Sequence, residues 1–242
     1  MNDEFYVGYV PAAPAGLGKF VARMAAAILL AGCVVGGILI LGQPPFAAST
    51  FEYGKYREYS GAIEEWPYPM LVTGDTAFLL AAPGKHGLTE QIKGLQGRHV
   101  RLMGSLIERA PDRMLEVTLG SIQAGEQPRQ ALRPTIDLGS VTLRGEIVDT
   151  KCYLGVMNPG ERKVHRDCAA RCISGGLPPA LVARDASGQA RMLLLVGGDG
   201  RALNREVLPF VAEPLEVSGL LVRAGSNLIL KAEPARFRRT AE

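Results

Sequence analysis

The chain has 242 residues, and its 27 basic residues outnumber its 24 acidic residues by a net charge of only +3. Such a small excess, without a long block of like charge, argues against nucleic-acid binding. The length suits one large domain or two small ones, and the apolar fraction of 47% is ordinary for a folded protein, although it is unevenly distributed.

The first predicted element is a membrane anchor. Residues 24–51 carry no charge, and their most apolar part can cross about 30 Å of hydrocarbon as a helix. Lys19 and Arg23 precede it, and basic residues favour the cytoplasmic side. We therefore predict a cytoplasmic tail over residues 1–19 and a transmembrane anchor over residues 20–43. The chain would be a single-pass protein of a bacterial inner membrane, with its bulk in the periplasm.

Two other interpretations of this segment stay open. A cleaved signal peptide is one, although the apolar core is long for that purpose. A lipoprotein anchored at Cys33 is the other, because the preceding Leu-Ala-Gly is typical of lipoprotein signals. The residues after Cys33 remain strongly apolar, which argues against a lipoprotein. All three interpretations place the residues after about position 50 outside the cytoplasm.

The rest of the chain is rich in predicted strands, since short apolar runs alternate with Gly, Pro, Asp and Asn. In the first half the strands are 56–64, 69–73, 77–81, 99–108 and 114–119, with a helix at 89–95. In the second half they are 141–148, 180–184, 191–196, 215–222 and 228–232, with a helix at 204–211. Three strands, a helix and two strands is the order of a five-stranded OB-type barrel.

The predicted fold class is mainly β: an N-terminal transmembrane helix followed by two tandem OB-like barrels. The first barrel would span residues 50–124, a linker 125–138 and the second barrel 139–236. Gly61 and Gly104 match Gly145 and Gly219, and the second pair is much further apart in sequence. Most of the added length lies in residues 151–178, which we predict to be a helical Cys/His insertion.

A helix is predicted within this insertion. Asn158 suits an N-cap, Pro159 suits the first helical position, and Glu161 lies three residues after the N-cap. Gly175 and Gly176 suit the end of the helix. The histidine and two of the cysteines of the insertion would then lie on one helix.

The insertion predicts a metal site. His165, Cys168 and Cys172 are spaced i, i+3 and i+7, which places them on one helix face. Cys152 follows the first strand of the second barrel, where the insertion leaves it. Thiolate and imidazole ligands suit zinc, copper or iron. We therefore predict these four residues as ligands of a transition metal and predict no catalytic residue.

A disulfide is the alternative for these cysteines, because exported cysteines are usually oxidised. Cys152 could pair with Cys168 or Cys172. Two cysteines one helical turn apart, about 6 Å, are poorly placed for a bridge to each other. Three exported cysteines are an odd number, so at least one would stay free, pair between chains or bind a ligand.

Other residues border the predicted site, namely Asp149, Lys151 and Tyr153. A carboxylate could fix the tautomer of His165, as carboxylates beside metal ligands do, although Asp149 could equally be a turn residue. The chain has no C-x-x-C-H and no C-x-x-C, which argues against covalent c-type haem and a thioredoxin-like centre.

The second half resembles a family of small exported bacterial proteins with an OB-type barrel. They share a Gly-x-[IV]-[VS]-Asp-x-x-Cys opening and a later His-x-x-Cys-x-x-x-Cys helix. The matching residues are Gly145, Ile147, Asp149, Cys152, His165, Cys168, Cys172 and Gly175. The resemblance covers roughly residues 141–235 and implies no particular activity. The loop 153–164 departs from the family pattern by being longer.

Two functions follow from these features. The first is a membrane-anchored extracytoplasmic double barrel acting as a metal-binding or redox-accessory module through the four predicted ligands. The alternative is a non-catalytic structural or assembly subunit of a membrane complex, such as a respiratory complex, with a structural disulfide in the insertion. An enzyme would need a nucleophile and a base in a cleft, and the sequence favours a non-enzymatic role. The expected partners are the membrane and a membrane-protein complex.

Overall fold

The computed structural model describes residues 14–43, 48–125, 133–185 and 187–240. The chain forms two compact units, Met1–Phe46 and Ala47–Glu242. The first thirteen residues of the predicted cytoplasmic tail and the centre of the predicted linker, residues 126–132, lie outside the described residues.

The first unit contains one helix, α1, over Ala15–Leu41 in its described part. Its 27 residues and a mean hydropathy of 2.6 make it long and apolar enough to cross a membrane by length and composition. The predicted helix is therefore confirmed, and it continues without interruption through Cys33. It begins at Ala15, before the predicted start at residue 20, so the residues around Lys19 are also helical.

The second unit begins with a closed five-stranded barrel. Its five strands are β2 (Arg57–Glu64), β3 (Met70–Thr73), β4 (Thr76–Ala81), β5 (His99–Arg109) and β6 (Asp112–Val117), and two short strands, β1 (Thr50–Phe51) and β7 (Gln123–Ala124), lie beside them. The closed order is β2-β3-β4-β6-β5-β2, with β1 and β7 paired to β5. Strands β4 and β6 run parallel, and the other neighbours in the closed barrel run antiparallel. This is the predicted OB-type order.

A second barrel repeats this order. Its strands are β8 (Thr135–Asp149), β9 (Pro179–Arg184), β10 (Ala190–Val196), β11 (Leu215–Ala224), β12 (Asn227–Ala232) and β13 (Arg238–Arg239). The closed order is β8-β9-β10-β12-β11-β8, with β10 and β12 parallel. A short helix, α2, spans Arg166–Ser174 between β8 and β9. The predicted fold class, including a helical insertion in the second barrel, is confirmed.

Matching glycines allow the first strand of each barrel to bend close to its neighbour. A Cβ atom at Gly61 would lie 2.3 Å from the carbonyl oxygen of Val72, and one at Gly145 would lie 2.2 Å from that of Val182. No side chain fits at such distances, so glycine is required at both positions. The glycine that repeats in the two halves of the sequence is therefore required for the same reason in both barrels, namely close contact with the neighbouring strand.

The two helices predicted between the third and fourth strands are not formed as α-helices. Residues 89–95 make successive turns, and Gly94 has a left-handed backbone (φ +85°) that an α-helix cannot contain. Residues 204–211 make turns that end in a short 3-10 helix, Leu208–Phe210. Pro209 has no N–H to donate to a longer helical ladder.

The barrels pack directly on each other through an apolar cluster drawn from both. It includes Tyr68, Met70, Val72, Val182, Met192 and Leu194. The Tyr68 hydroxyl donates to the carbonyl oxygen of Leu195 (2.5 Å) and accepts from the backbone N–H of Leu203 (3.1 Å). The Tyr68 side chain, which belongs to the first barrel, thereby pairs two buried polar backbone groups of the second barrel.

The end of the predicted linker is also bound to both barrels. Arg133 forms an ion pair with Glu64 of β2 (2.7 Å) and donates to the carbonyl oxygen of Ala224 in β11 (3.0 Å). Strand β8 begins at Thr135, inside the segment predicted as linker. The second barrel is thus tied to the first from its first strand onward.

Candidate metal centre

Asp149 ends strand β8 and organises the start of the insertion. Its side chain is fully buried. One carboxylate oxygen accepts the backbone N–H of Cys152 (2.8 Å), and the other lies 3.0 Å from Nε2 of His165. The chain then forms one turn of π-helix, Cys152–Val156. A single carboxylate therefore holds the backbone of one predicted ligand and the ring of another.

The insertion helix begins later than predicted. Lys163–His165 forms a 3-10 turn that leads into α2, whereas the sequence signals indicated a start at Asn158. Arg162 has a left-handed backbone (φ 69°), which excludes an α-helix through that position. Glu161, expected to cap the helix, instead forms an ion pair with Arg184 (2.9 Å).

The end of α2 lies where the glycines predicted it. Gly175 is the C-cap, and its N–H donates to the carbonyl oxygen of Arg171 (2.9 Å). The side-chain amide of Asn204 donates to the carbonyl oxygens of Ile173 (3.0 Å) and Leu177 (2.9 Å). These bonds pair one carbonyl in the last turn of the helix and one in the segment that follows it. They also fix α2 to the second barrel.

Three cysteine sulfurs meet beside this helix. The Sγ atoms of Cys152, Cys168 and Cys172 all lie within 4.8 Å of one another. Cys152 and Cys172 are buried, and Cys168 is half-buried. All three are free thiols. Neither disulfide of the alternative interpretation, Cys152 with Cys168 or with Cys172, is present in the structure. The Sγ atoms of Cys152 and Cys168 are 3.9 Å apart, whereas an S–S bond is about 2.05 Å.

His165 belongs to a neighbouring group. Its ligand atom lies within 4.8 Å of those of Asp149 and Cys152, and the histidine is 3% exposed. The predicted four-residue set is therefore divided into a thiol trio, defined as Cys152, Cys168 and Cys172, and His165. His165 and Asp149, which was not among the predicted ligands, form a histidine–carboxylate pair. The two parts meet at Cys152.

A lysine from the first barrel reaches the thiol trio. Lys85 lies on the exposed connection that follows β4, and its Nζ is 2.7 Å from Sγ of Cys168 and 3.8 Å from Sγ of Cys172. The hydrogen bond to Cys168 raises the pKa of Lys85, so its ammonium form is favoured at this position. Lys85 and half-buried Cys168 mark the solvent-facing side of the site.

The thiols of Cys152 and Cys172 differ in acidity because they interact. The hydrogen bond with Cys172 raises the pKa of Cys152 well above its usual range, and burial adds to the increase. The same hydrogen bond lowers the pKa of Cys172. A negative charge shared by this pair is therefore favoured on Cys172, which lies near Lys85, over Cys152.

Two residues predicted to border the site are directed toward the first barrel instead. Lys151 is 2% exposed, pairs with Glu116 (2.5 Å) and donates to the carbonyl oxygen of Ala82 (2.8 Å). The ring of Tyr153 lies 4.0 Å from the Arg109 guanidinium. These contacts join the base of the insertion to the first barrel, so the two residues support the site by holding its position.

Sequence reasoning missed Lys85 and Asn204. Lys85 lies in a different barrel, and no local pattern links it to cysteines so far along the chain. Asn204 lies in a segment predicted as helix, where its side chain was not expected to bind another element. Both roles depend on how separate elements pack together.

Comparison with models of known protein families, with curated proteins and with solved structures finds no match to this chain. The resemblance to exported bacterial proteins with an OB-type barrel therefore stays a prediction. The case for a function rests on the geometry of the thiol trio and of the residues that surround it.

Proposed function

We propose that the protein is a membrane-anchored, extracytoplasmic module that binds one metal ion through the thiol trio. The observation that supports this is the convergence of three free sulfurs, from two segments of the insertion, within 4.8 Å. Thiolates select soft or borderline ions such as copper(I), zinc and iron. With metal–sulfur bonds of about 2.3 Å, ligand sulfurs stand about 3.8 to 4.0 Å apart. The Cys152–Cys168 distance of 3.9 Å fits this spacing.

The histidine–carboxylate pair completes the proposed site. Carboxylates commonly hold a metal-binding histidine in one orientation and raise its basicity. Asp149 contacts His165 and also holds the backbone of Cys152, so it positions two of the proposed ligands at once. Since Nε2 of His165 is bonded to Asp149, Nδ1 is the ring nitrogen that could serve as a further ligand, on the buried side of the site at Cys152.

Helix α1 is the proposed anchor of this module. Its length and hydropathy are sufficient for a membrane span, and Lys19 and Arg23 near its start favour a cytoplasmic N-terminus. The two barrels would then lie on the periplasmic side, where the module would hold a metal ion for a membrane-protein partner as an accessory rather than as an enzyme.

Metal content of the full-length protein in detergent tests this proposal. After anaerobic purification in reductant and loading with copper(I) or zinc, elemental analysis should find about one metal ion per chain. Replacement of any one of Cys152, Cys168 or Cys172 by Ser should lower the affinity at least tenfold, because each removes a ligand.

The fourth cysteine provides the matched control. Cys33→Ser lies in α1, outside the unit that carries the trio, and should bind metal as the unmodified protein does. Far-UV circular dichroism should show that all variants stay folded. Full metal binding by folded Cys152→Ser, Cys168→Ser and Cys172→Ser variants would refute the proposal.

A further inference from the structure

The backbone of the first barrel is held against the insertion at the metal site. The N–H of Gly87 donates to the carbonyl oxygen of Gly175 (2.8 Å). A Cβ atom at Gly175 would lie 1.9 Å from the carbonyl oxygen of Lys85, and one at Gly87 would lie 2.2 Å from that of Gly176. The two chain segments are thus in direct backbone contact, which only glycine permits. This contact fixes the start of the Lys85 side chain beside the trio.

Among the described contacts of the thiol trio, Lys85 is the basic residue whose charged group touches the sulfurs. Its Nζ contacts Cys168 at 2.7 Å and Cys172 at 3.8 Å. A second lysine of this region, the buried Lys151, is paired with Glu116 of the first barrel. A metal ion held by the trio would therefore lie within a few ångströms of the Lys85 ammonium.

Repulsion between this ammonium and a bound metal ion depends on the charge of the ion. By Coulomb's law the repulsion of a divalent ion is twice that of a monovalent ion at the same position. The attraction of the three thiolates acts on both ions with or without the lysine. A fixed positive charge therefore lowers the affinity for zinc more than the affinity for copper(I).

We propose that Lys85 is a specificity-determining residue of the metal site, and that its positive charge shifts the preference of the trio from divalent zinc toward monovalent copper(I). This inference rests on the proposed metal-binding function and names the class of ion that the site takes. It also gives the first barrel a part in binding, since the first barrel supplies the charge and the second supplies the sulfurs.

Replacement of Lys85 tests the inference. Full-length protein in detergent, kept anaerobic and reduced at one fixed ionic strength, is titrated with copper(I) and with zinc in competition with chelators of known affinity. Lys85→Gln should bind zinc more tightly, so that the ratio of copper(I) affinity to zinc affinity falls roughly tenfold. Lys85→Arg keeps the positive charge and should retain the ratio of the unmodified protein.

An exposed lysine of the same barrel serves as the control. Lys93→Gln removes one positive charge from the surface and should leave the ratio unchanged. If Lys85→Gln is not folded by circular dichroism, Lys85→Leu removes the same charge without adding a sulfur ligand. An unchanged ratio in a folded, uncharged variant would overturn the role of Lys85 while leaving metal binding intact. If the unmodified protein bound neither ion, the proposed function itself would fail.

Discussion

The two barrels have the same strand order but differ in the connection between their first two strands. In the first barrel, residues 65–69 join β2 to β3, whereas residues 150–178 join β8 to β9 in the second. The longer connection contains all three sulfurs of the thiol trio. Since the strand order is the same, the proposed metal site depends on one insertion rather than on the barrel fold.

Each barrel also extends one lysine side chain to the other, and the two lysines have different roles. Lys85 extends from an exposed loop of the first barrel to Cys168 in the insertion. Lys151 extends from the insertion into the first barrel, where it is 2% exposed and pairs with Glu116. The first lysine places charge on the site, while the second holds the insertion in position. This difference predicts that Lys85 governs metal preference and Lys151 governs stability.

Replacement of Lys151 should have the largest effect on stability. Lys151→Met leaves Glu116, whose side chain is 15% exposed, without its cationic partner. Loss of one member of a buried ion pair costs about 4 kcal/mol, because the remaining charge stays desolvated. Urea denaturation followed by circular dichroism should show this decrease in the free energy of unfolding.

A double variant separates the ion pair from simple packing. Adding Glu116→Gln to Lys151→Met removes the unpaired charge and should restore part of the lost stability. Lys93→Met, on the exposed surface of the first barrel, should change stability by less than about 0.5 kcal/mol. If Lys151→Met were as stable as the unmodified protein, the buried pair would not be what joins the insertion to the first barrel.

Replacement of Tyr68 should have a smaller effect at the same interface. Tyr68→Phe leaves the carbonyl oxygen of Leu195 and the N–H of Leu203 without their shared partner. Buried groups left unpaired cost about 2 kcal/mol in total. The same denaturation experiment measures this, with Tyr53→Phe as the control because Tyr53 is 78% exposed. Equal stability of the two variants would contradict a role for the Tyr68 hydroxyl in joining the barrels.

The fold could be predicted from the sequence because its signals are local. Apolar runs with intervening turns gave the strands close to their observed positions, and the matching glycines showed that the two halves repeat. Gly61 and Gly145 carry this signal because close strand contact excludes any side chain at both positions. Helix type was less predictable, since residues 89–95 and 204–211 form turns instead of α-helices.

The site could be predicted only in part, because some of its residues are positioned by tertiary contacts. The cysteine spacing on α2 is a local pattern, and it correctly brought Cys168 and Cys172 together. The capping signals before α2 were overridden where Arg162 donates its backbone N–H to Glu146 (2.8 Å) and adopts a left-handed backbone. The position of Lys85 follows from the docking of two barrels, which no local pattern encodes.

The smallest predicted effect is a change in stability on replacing Asp112, a carboxylate between the barrels. Asp112 begins β6 and lines a crevice with Arg191 of the second barrel. Burial raises the pKa of Asp112 from 3.8 to about 6, although the charge of Arg191 opposes the increase. The folded state therefore binds this proton more tightly than the unfolded state does. Its contribution to stability is present below about pH 4 and is lost as the pH rises to about 6.

Asp112→Asn removes this titration and should be more stable than the unmodified protein at pH 7. The full shift corresponds to at most about 3 kcal/mol, and partial exposure reduces it to roughly 1 kcal/mol. Urea denaturation at pH 4 and pH 7 should show the difference only at pH 7, whereas Asp75→Asn, in an exposed turn, should show none at either pH. A less stable Asp112→Asn at pH 7 would mean that attraction to Arg191 outweighs burial. Asp112 would then join the barrels by charge, as Lys151 does.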